Sequence, residues 1–240
     1  MNYILDKQGL TNNELKIIAI VAMTMDHIAF GFMDPNTIKY QLFRMVGRFT
    51  IVIMCYMIAE GYKHTHSIKK YLTRLFMFAI VSHVPFIFFH TGKISFLFED
   101  NGFQTSVIWS LFLGLLSLCI WNNNKLKKVY KIILLIFMCI LAMPGDWSIF
   151  AVLLIWGFGV FYEKRKMQMI FLGVFALYIG LLSVSVADQW YKTLYNFGLF
   201  LTIPILMKYK GCLGNSKHLK WIFYVYYPMH MIILGIIRYM

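Results

Sequence analysis

Long, continuous apolar runs recur from one end of this chain to the other, and they restrict the fold to helices. Inside hydrocarbon an unpaired backbone N–H or C=O costs several kcal/mol, so a spanning segment must satisfy its own backbone as a helix or join a closed barrel. The runs do not alternate with period two, and several approach the ~20 residues that cross ~30 Å of hydrocarbon. They fall at 15–33, 41–60, 71–90, 105–121, 129–143, 147–162, 167–186, 190–207 and 219–238. The reading is an all-α, polytopic transmembrane helix bundle of about nine spans, with residues 1–240 as a single integral membrane domain. The fifth and sixth runs are short and closely spaced, and Pro144-Gly145-Asp146 suits a tight hairpin between them. With 60% hydrophobic and 14% charged residues and a mean hydropathy of +0.67, a soluble domain of this size is excluded. Residues 1–14 are polar, and the first run contains Asp26-His27 and no small-residue cleavage site. It is expected to remain as a helix rather than be removed as a signal peptide.

A formal net charge of +13 suggests a nucleic-acid partner at first sight. The distribution of the charge argues against one. Lys and Arg cluster in the N-terminal tail (Lys7, Lys16) and in loops 61–74, 122–131, 163–166 and 208–220. The intervening side holds Asp34, Glu99, Asp100, Asp146 and Asp188. Basic loops mark the cytoplasmic face, so the alternation predicts a cytoplasmic N-terminus and an extracytoplasmic C-terminus. The bilayer, not nucleic acid, is the expected surroundings. The four cysteines have neither zinc-ligand spacing nor a shared outer loop, so no structural disulfide and no metal are expected.

Against this apolar background a few ionisable residues stand out. Asp26 and His27 lie in the first run, Arg44 and Arg48 in the second, His83 in the third and His230 in the last. Charge at such depth costs several kcal/mol and usually faces a protein interior at a working site. A rise of ~1.5 Å per residue puts Asp26, His27, Arg48, His83 and His230 at similar depths, roughly 10 Å below the outer ends of their helices. Asp26 continues a row of small residues, Ala19, Ala22 and Ala29, along which another helix can approach closely. It therefore looks inward, with His27 about 100° around the helix. Arg44 and Arg48 share a face, and an Asp26–Arg48 ion pair is expected. Tyr227 lies close to His230, beside Pro228.

The chemistry this set offers is limited. Histidine can take a proton from an amine or hydroxyl and return it to a leaving thiolate. Arginine can stabilise an oxyanion or hold a phosphate. There is no GxSxG, HExxH, Walker-type loop or DxD cluster, so direct acyl transfer fits better than hydrolysis through a serine nucleophile. A proton-coupled small-molecule transporter also buries Asp, His and Arg near the midplane, but more often shows an inverted repeat, and none is evident here. An intramembrane metal hydrolase ligated by His27, His83, His230 and Asp26 is a third reading.

At these residues the chain resembles the TraX family, membrane proteins that include the pilin N-acetylase of conjugative plasmids. The likeness runs from Leu15-Lys16-Ile17-Ile18-Ala19 and Met25-Asp26-His27-Ile28 through Val46-Gly47-Arg48-Phe49 and Ala59-Glu60-Gly61. It continues in Tyr71-Leu72-Thr73-Arg74-Leu75, Ser82-His83-Val84-Pro85-Phe86, Asn101 before Thr105, Leu113-Gly114-Leu115 and Asp146-Trp147. It closes on Phe223-Tyr224-Val225-Tyr226-Tyr227-Pro228-Met229-His230. After Arg48 this chain reads Phe49-Thr50-Ile51-Val52, where family members tend to carry a proline. The family is in turn similar to the acyltransferase-3 group, in which a first-helix histidine and later arginines serve acyl transfer.

The resemblance implies a bacterial cytoplasmic-membrane acetyltransferase that takes acetyl-CoA from the cytoplasm. By that resemblance His27 and Arg48 are the leading catalytic residues, with Asp26 orienting Arg48. Arg44 is expected to help hold the donor, and Lys69, Lys70 and Arg74 to meet the CoA phosphates, since a polyanion needs several cations. His83, Asp146, Tyr227 and His230 are expected to line the acceptor side, where a peptide amine or the hydroxyl of a surface polymer would react. The acceptor, the choice between N- and O-acetylation, the acyl length and the oligomeric state are left open by the sequence.

Overall fold

The computed structural model describes residues 9–95, 103–212 and 219–240. Lys7, Glu99, Asp100, Asn101 and Lys217 lie outside the described residues. Among the described residues the chain forms α1 (Asn12–Phe32), α2 (Ile38–His64), α3 (Ile68–Thr91), α4 (Val107–Trp121), α5 (Lys128–Ala142) and α6 (Ser148–Val160). It continues through α7 (Arg165–Val186), a 3-10 segment (Trp190–Leu201), α8 (Thr202–Met207) and α9 (Leu219–Tyr239). The helical reading holds among the described residues. Four of these helices, α1, α2, α3 and α7, are long and apolar enough to cross a membrane. The eighth apolar run differs from expectation. It is a twelve-residue 3-10 segment followed by a six-residue α-helix, not one α-helix, and it packs against both α7 and α2.

Local chemistry explains the helix ends. Thr11 caps α1 reciprocally: its hydroxyl accepts from the Glu14 N–H, and the Glu14 carboxylate accepts from the Thr11 N–H at 2.6 Å. Such a box satisfies two of the donors that every helix start leaves over. Ser67 caps α3 by accepting from Lys70 N, and Gly92 ends it at φ 73°, in the left-handed region that glycine enters without steric cost.

The chain folds as two compact units. The first comprises residues 1–54 and 165–226, the second residues 55–164 and 227–240; α2 and α9 contribute to both. In the first unit α7 packs against the 3-10 segment and α8. The short strand-like contact Leu10–Tyr209 ties the start of α1 to the end of α8. The small-residue row of α1 is buried as expected, with Ala19, Ala22 and Ala29 at 0–1% exposure.

In the second unit α4 packs against α3, α5 and α6. Gly114 of α4 receives Ile155 of α6, and Gly159 of α6 receives Leu118 of α4; a Cβ at either glycine would stand within 2.4 Å of the facing side chain. This reciprocal fit brings two backbones close, which is how helices bind one another where no hydrophobic gain separates protein from lipid. The α5–α6 hairpin turns at Pro144-Gly145-Asp146, and it is tied to the segment before α4: Thr105 N donates to Pro144 O and Asp146 N donates to Thr105 O. The outer faces of α5 and α7 expose Ile133, Ile136, Ile140, Ile170, Val174 and Leu181, an apolar surface of the kind lipid covers.

Candidate functional site

Two clusters of polar side chains form inside this apolar framework, one in each unit. The cluster in the first unit is charged. Asp26 of α1 and Arg44 of α2 form an ion pair at 2.6 Å, with side chains 16% and 14% exposed. The partner is thus Arg44 rather than the expected Arg48, one turn further along α2. The register of the two helices decides this. Asp26 packs on the bare backbone of Gly47, where an added Cβ would stand 2.1 Å from its Oδ1. Thr50 Oγ1 fixes the same register by donating to Ala19 O at 3.1 Å.

Arg48 is buried, at 8% exposure. Its guanidinium carbon lies 4.5 Å from the ring centroid of Tyr195, and that of Arg44 lies 5.0 Å from the same ring. Arg44 also approaches the rings of Phe30 and Tyr40 at 5.7 and 5.9 Å, and Tyr40 meets Tyr195 edge-on at 6.3 Å. Aromatic faces attract desolvated cations by ~2 kcal/mol each. Asp26, Arg44 and Arg48 together carry a formal +1, because one carboxylate cannot neutralise two guanidinium groups. A buried surplus of positive charge is suited to receiving an anion or a developing oxyanion. His27 sits beside Asp26 on α1 and is half-buried.

The cluster in the second unit is rich in hydroxyls. His83 of α3 is 7% exposed. Its Nδ1 pairs with Thr105 Oγ1 at 3.0 Å, and its ring stacks on Phe103 with centroids 5.4 Å apart. Thr105 sits in the segment tied to the α5–α6 turn by one backbone bond to Pro144 and one from Asp146, so His83 is held against that turn. Ser110 Oγ packs on Gly145, where a Cβ would stand 2.0 Å away. Tyr227 of α9 is buried near Ser106, Val107 and Asp146, and His230, one turn on, meets its ring edge-on at 5.6 Å. The residues expected on the acceptor side, His83, Asp146, Tyr227 and His230, therefore belong to one unit, while Asp26, His27, Arg44 and Arg48 belong to the other.

Lys69, Lys70 and Arg74 lie on the first turns of α3, in the second unit. Both lysines are exposed, and Arg74 covers the Tyr71 ring at 5.1 Å. Three cations around a capped helix start fit a phosphate-bearing group by charge. Among the described residues no three His, Cys, Asp or Glu side chains converge as metal ligands do.

Sequence reasoning missed Tyr195, Gly47 and Thr105. Tyr195 is one of several aromatics in its run and carries no distinguishing spacing. Gly47 and Thr105 lie within the stretches that carry the family likeness, but nothing in one sequence says what either touches.

Helices long and apolar enough to cross a membrane, with Asp26, Arg44 and Arg48 held where α1 meets α2, define a helical membrane protein. The family model described as TraX protein matches residues 11–238, and the chain belongs to the TraX family. A curated relative, the probable fimbrial assembly protein FimC of serogroup H1 from Dichelobacter nodosus, is 30% identical over 231 residues, covering 92% of this chain and 93% of that protein. No solved structure matches the chain.

Proposed function

We propose that this protein is a multi-pass acetyltransferase of the bacterial cytoplasmic membrane, moving an acetyl group from cytoplasmic acetyl-CoA to an acceptor at the outer half of the bilayer. The acceptor amine or hydroxyl attacks the thioester carbonyl carbon. A C–N or C–O bond forms and the C–S bond breaks. His27 takes the proton from the nucleophile and returns it to the departing CoA thiolate. Arg48, with Arg44, stabilises the carbonyl oxygen as it becomes negative. Asp26 acts through Arg44, which it holds at 2.6 Å.

Lys69, Lys70 and Arg74 meet the CoA phosphates, and His83, Asp146, Tyr227 and His230 face the acceptor. The relative named for fimbrial assembly favours a fimbrial-type peptide as acceptor over a surface polymer.

The observation that carries this reading is a pair of little-exposed arginines on one face of α2, one of them ion-paired to Asp26. Such a set costs stability, and it is accounted for by a step in which negative charge develops. The test is incubation of the purified protein in lipid nanodiscs with isotope-labelled acetyl-CoA and a panel of peptides and glycans, followed by mass spectrometry. The expected result is labelled acceptor together with stoichiometric free CoA. Absence of both, with no binding of acetyl-CoA, overturns the proposal and favours transport.

A further inference from the structure

The 3-10 segment Trp190–Leu201 has a geometry that its own sequence does not favour. Runs of 3-10 helix beyond three or four residues are uncommon, because the hydrogen bonds are poorly aligned. This one lasts twelve residues. Its period of three places residues 192, 195 and 198 in a straight row. All three meet α2: Gln41 Nε2 donates to Lys192 O at 3.1 Å, Tyr195 lies under Arg44 and Arg48, and Gly198 sits so close that a Cβ would be 2.3 Å from Met45 O. On α2, residues 41, 44, 45 and 48 form one face at helical spacing. An α-helix in the same place would turn each step of three residues by about 60° off the row, and Tyr195 and Gly198 would not face α2 together.

We infer that Tyr195 is the positioning residue for both arginines: the 3-10 row brings its ring and hydroxyl to Arg44 and Arg48 and holds Arg48 aimed at the reacting group while Asp26 holds Arg44. This rests on the proposed acetyl transfer. Gly198 and Lys192 anchor the row through their backbones, and Tyr195 reaches both guanidinium groups. The ring supplies the face that the cations lie against and the Tyr195 hydroxyl oxygen accepts hydrogen bonds from both guanidinium groups, so Tyr195→Phe keeps part of the hold and an aliphatic residue keeps none.

The experiment has an arm that does not depend on activity. Wild type, Tyr195→Phe and Tyr195→Leu in detergent are treated with phenylglyoxal, and modification of Arg48 is read by peptide mass spectrometry relative to Arg238, which packs against Phe89 in the other unit. Tyr195→Leu should raise the Arg48:Arg238 ratio at least fivefold, and Tyr195→Phe, which keeps the ring and loses the hydroxyl, should fall between wild type and Tyr195→Leu. In the transfer assay with acetyl-CoA and an acceptor that the wild type acetylates, Tyr195→Leu should lower kcat at least tenfold with the acetyl-CoA KM within threefold, and Tyr195→Phe should recover part of that loss.

An unchanged labelling ratio in Tyr195→Leu overturns the inference, and so does a raised ratio with unchanged kcat. If Tyr195→Leu exposes all arginines alike it has unfolded, and Tyr195→Met is read by the same rules. A wild type that transfers nothing sinks the acetyltransferase reading alone, and the labelling ratio then decides the placement of the arginines.

Discussion

Gly47→Ala is the smallest change that should disturb the charged cluster. The new methyl would stand 2.1 Å from Asp26 Oδ1, 2.4 Å from its Cβ and 2.5 Å from its Cγ. The Asp26 side chain must retreat by roughly 1 Å to reach ordinary contact, and the 2.6 Å bond to Arg44 lengthens beyond a good hydrogen bond. Overpacking of this kind costs about 1–3 kcal/mol. Weakening a charge-assisted bond adds up to about 1.5–3 kcal/mol, and replacing a helical glycine by alanine returns about 1 kcal/mol. The net loss is about 2–5 kcal/mol, which for a chain of this length lowers Tm by about 4–20 °C. Gly173→Ala is the control. It lies in α7 of the same unit, and its nearest neighbour to an added Cβ is Ile203 Cδ1 at 3.9 Å, so the propensity gain should stand unopposed. Both variants are compared with wild type by thermal unfolding in detergent, followed by intrinsic tryptophan fluorescence. If Gly47→Ala melts within about 2 °C of Gly173→Ala, Asp26 is not seated on Gly47 and the register argument fails.

Four further outcomes are expected. His27→Ala should fold and bind acetyl-CoA but lose about 10²–10⁴ in transfer rate, as removal of a general base does; near-wild-type turnover moves the base to His83 or His230. Arg48→Lys should fold and stay nearly inactive, because lysine keeps the charge but not the planar fork, and full activity in a steady-state assay would make Arg48 a structural partner only. Thr105→Val should cost about 1–3 kcal/mol by stranding the His83 Nδ1 contact, with Thr105→Ser near wild type in thermal unfolding; equal Tm values for the two variants contradict the pairing. A membrane-impermeant maleimide applied to intact cells should label Asp188→Cys and not Lys127→Cys, and labelling of Lys127→Cys would reverse the orientation read from the basic loops.

The helices, and much of what faces inward, were legible in the sequence. Apolar runs of spanning length leave the backbone little alternative to the helix, so helix positions follow from hydropathy, including the α5–α6 hairpin at Pro144-Gly145-Asp146. The alanine row of α1 and the shared face of Arg44 and Arg48 follow from a period of 3.6. The tertiary structure decided the rest. Arg44 and Arg48 present the same face one turn apart, so spacing cannot say which of them meets Asp26; the seat on Gly47 and the Thr50–Ala19 bond choose Arg44. The partner of His83 is Thr105, a residue outside any helix that is placed by the turn before α6. In the run 190–207, an apolar aromatic pattern does not distinguish 120° of turn per residue from 100°. The local sequence allows either period, and tertiary packing against α7 and against Gln41 and Met45 of α2 accompanies the tighter one and sets Tyr195 beneath the arginines.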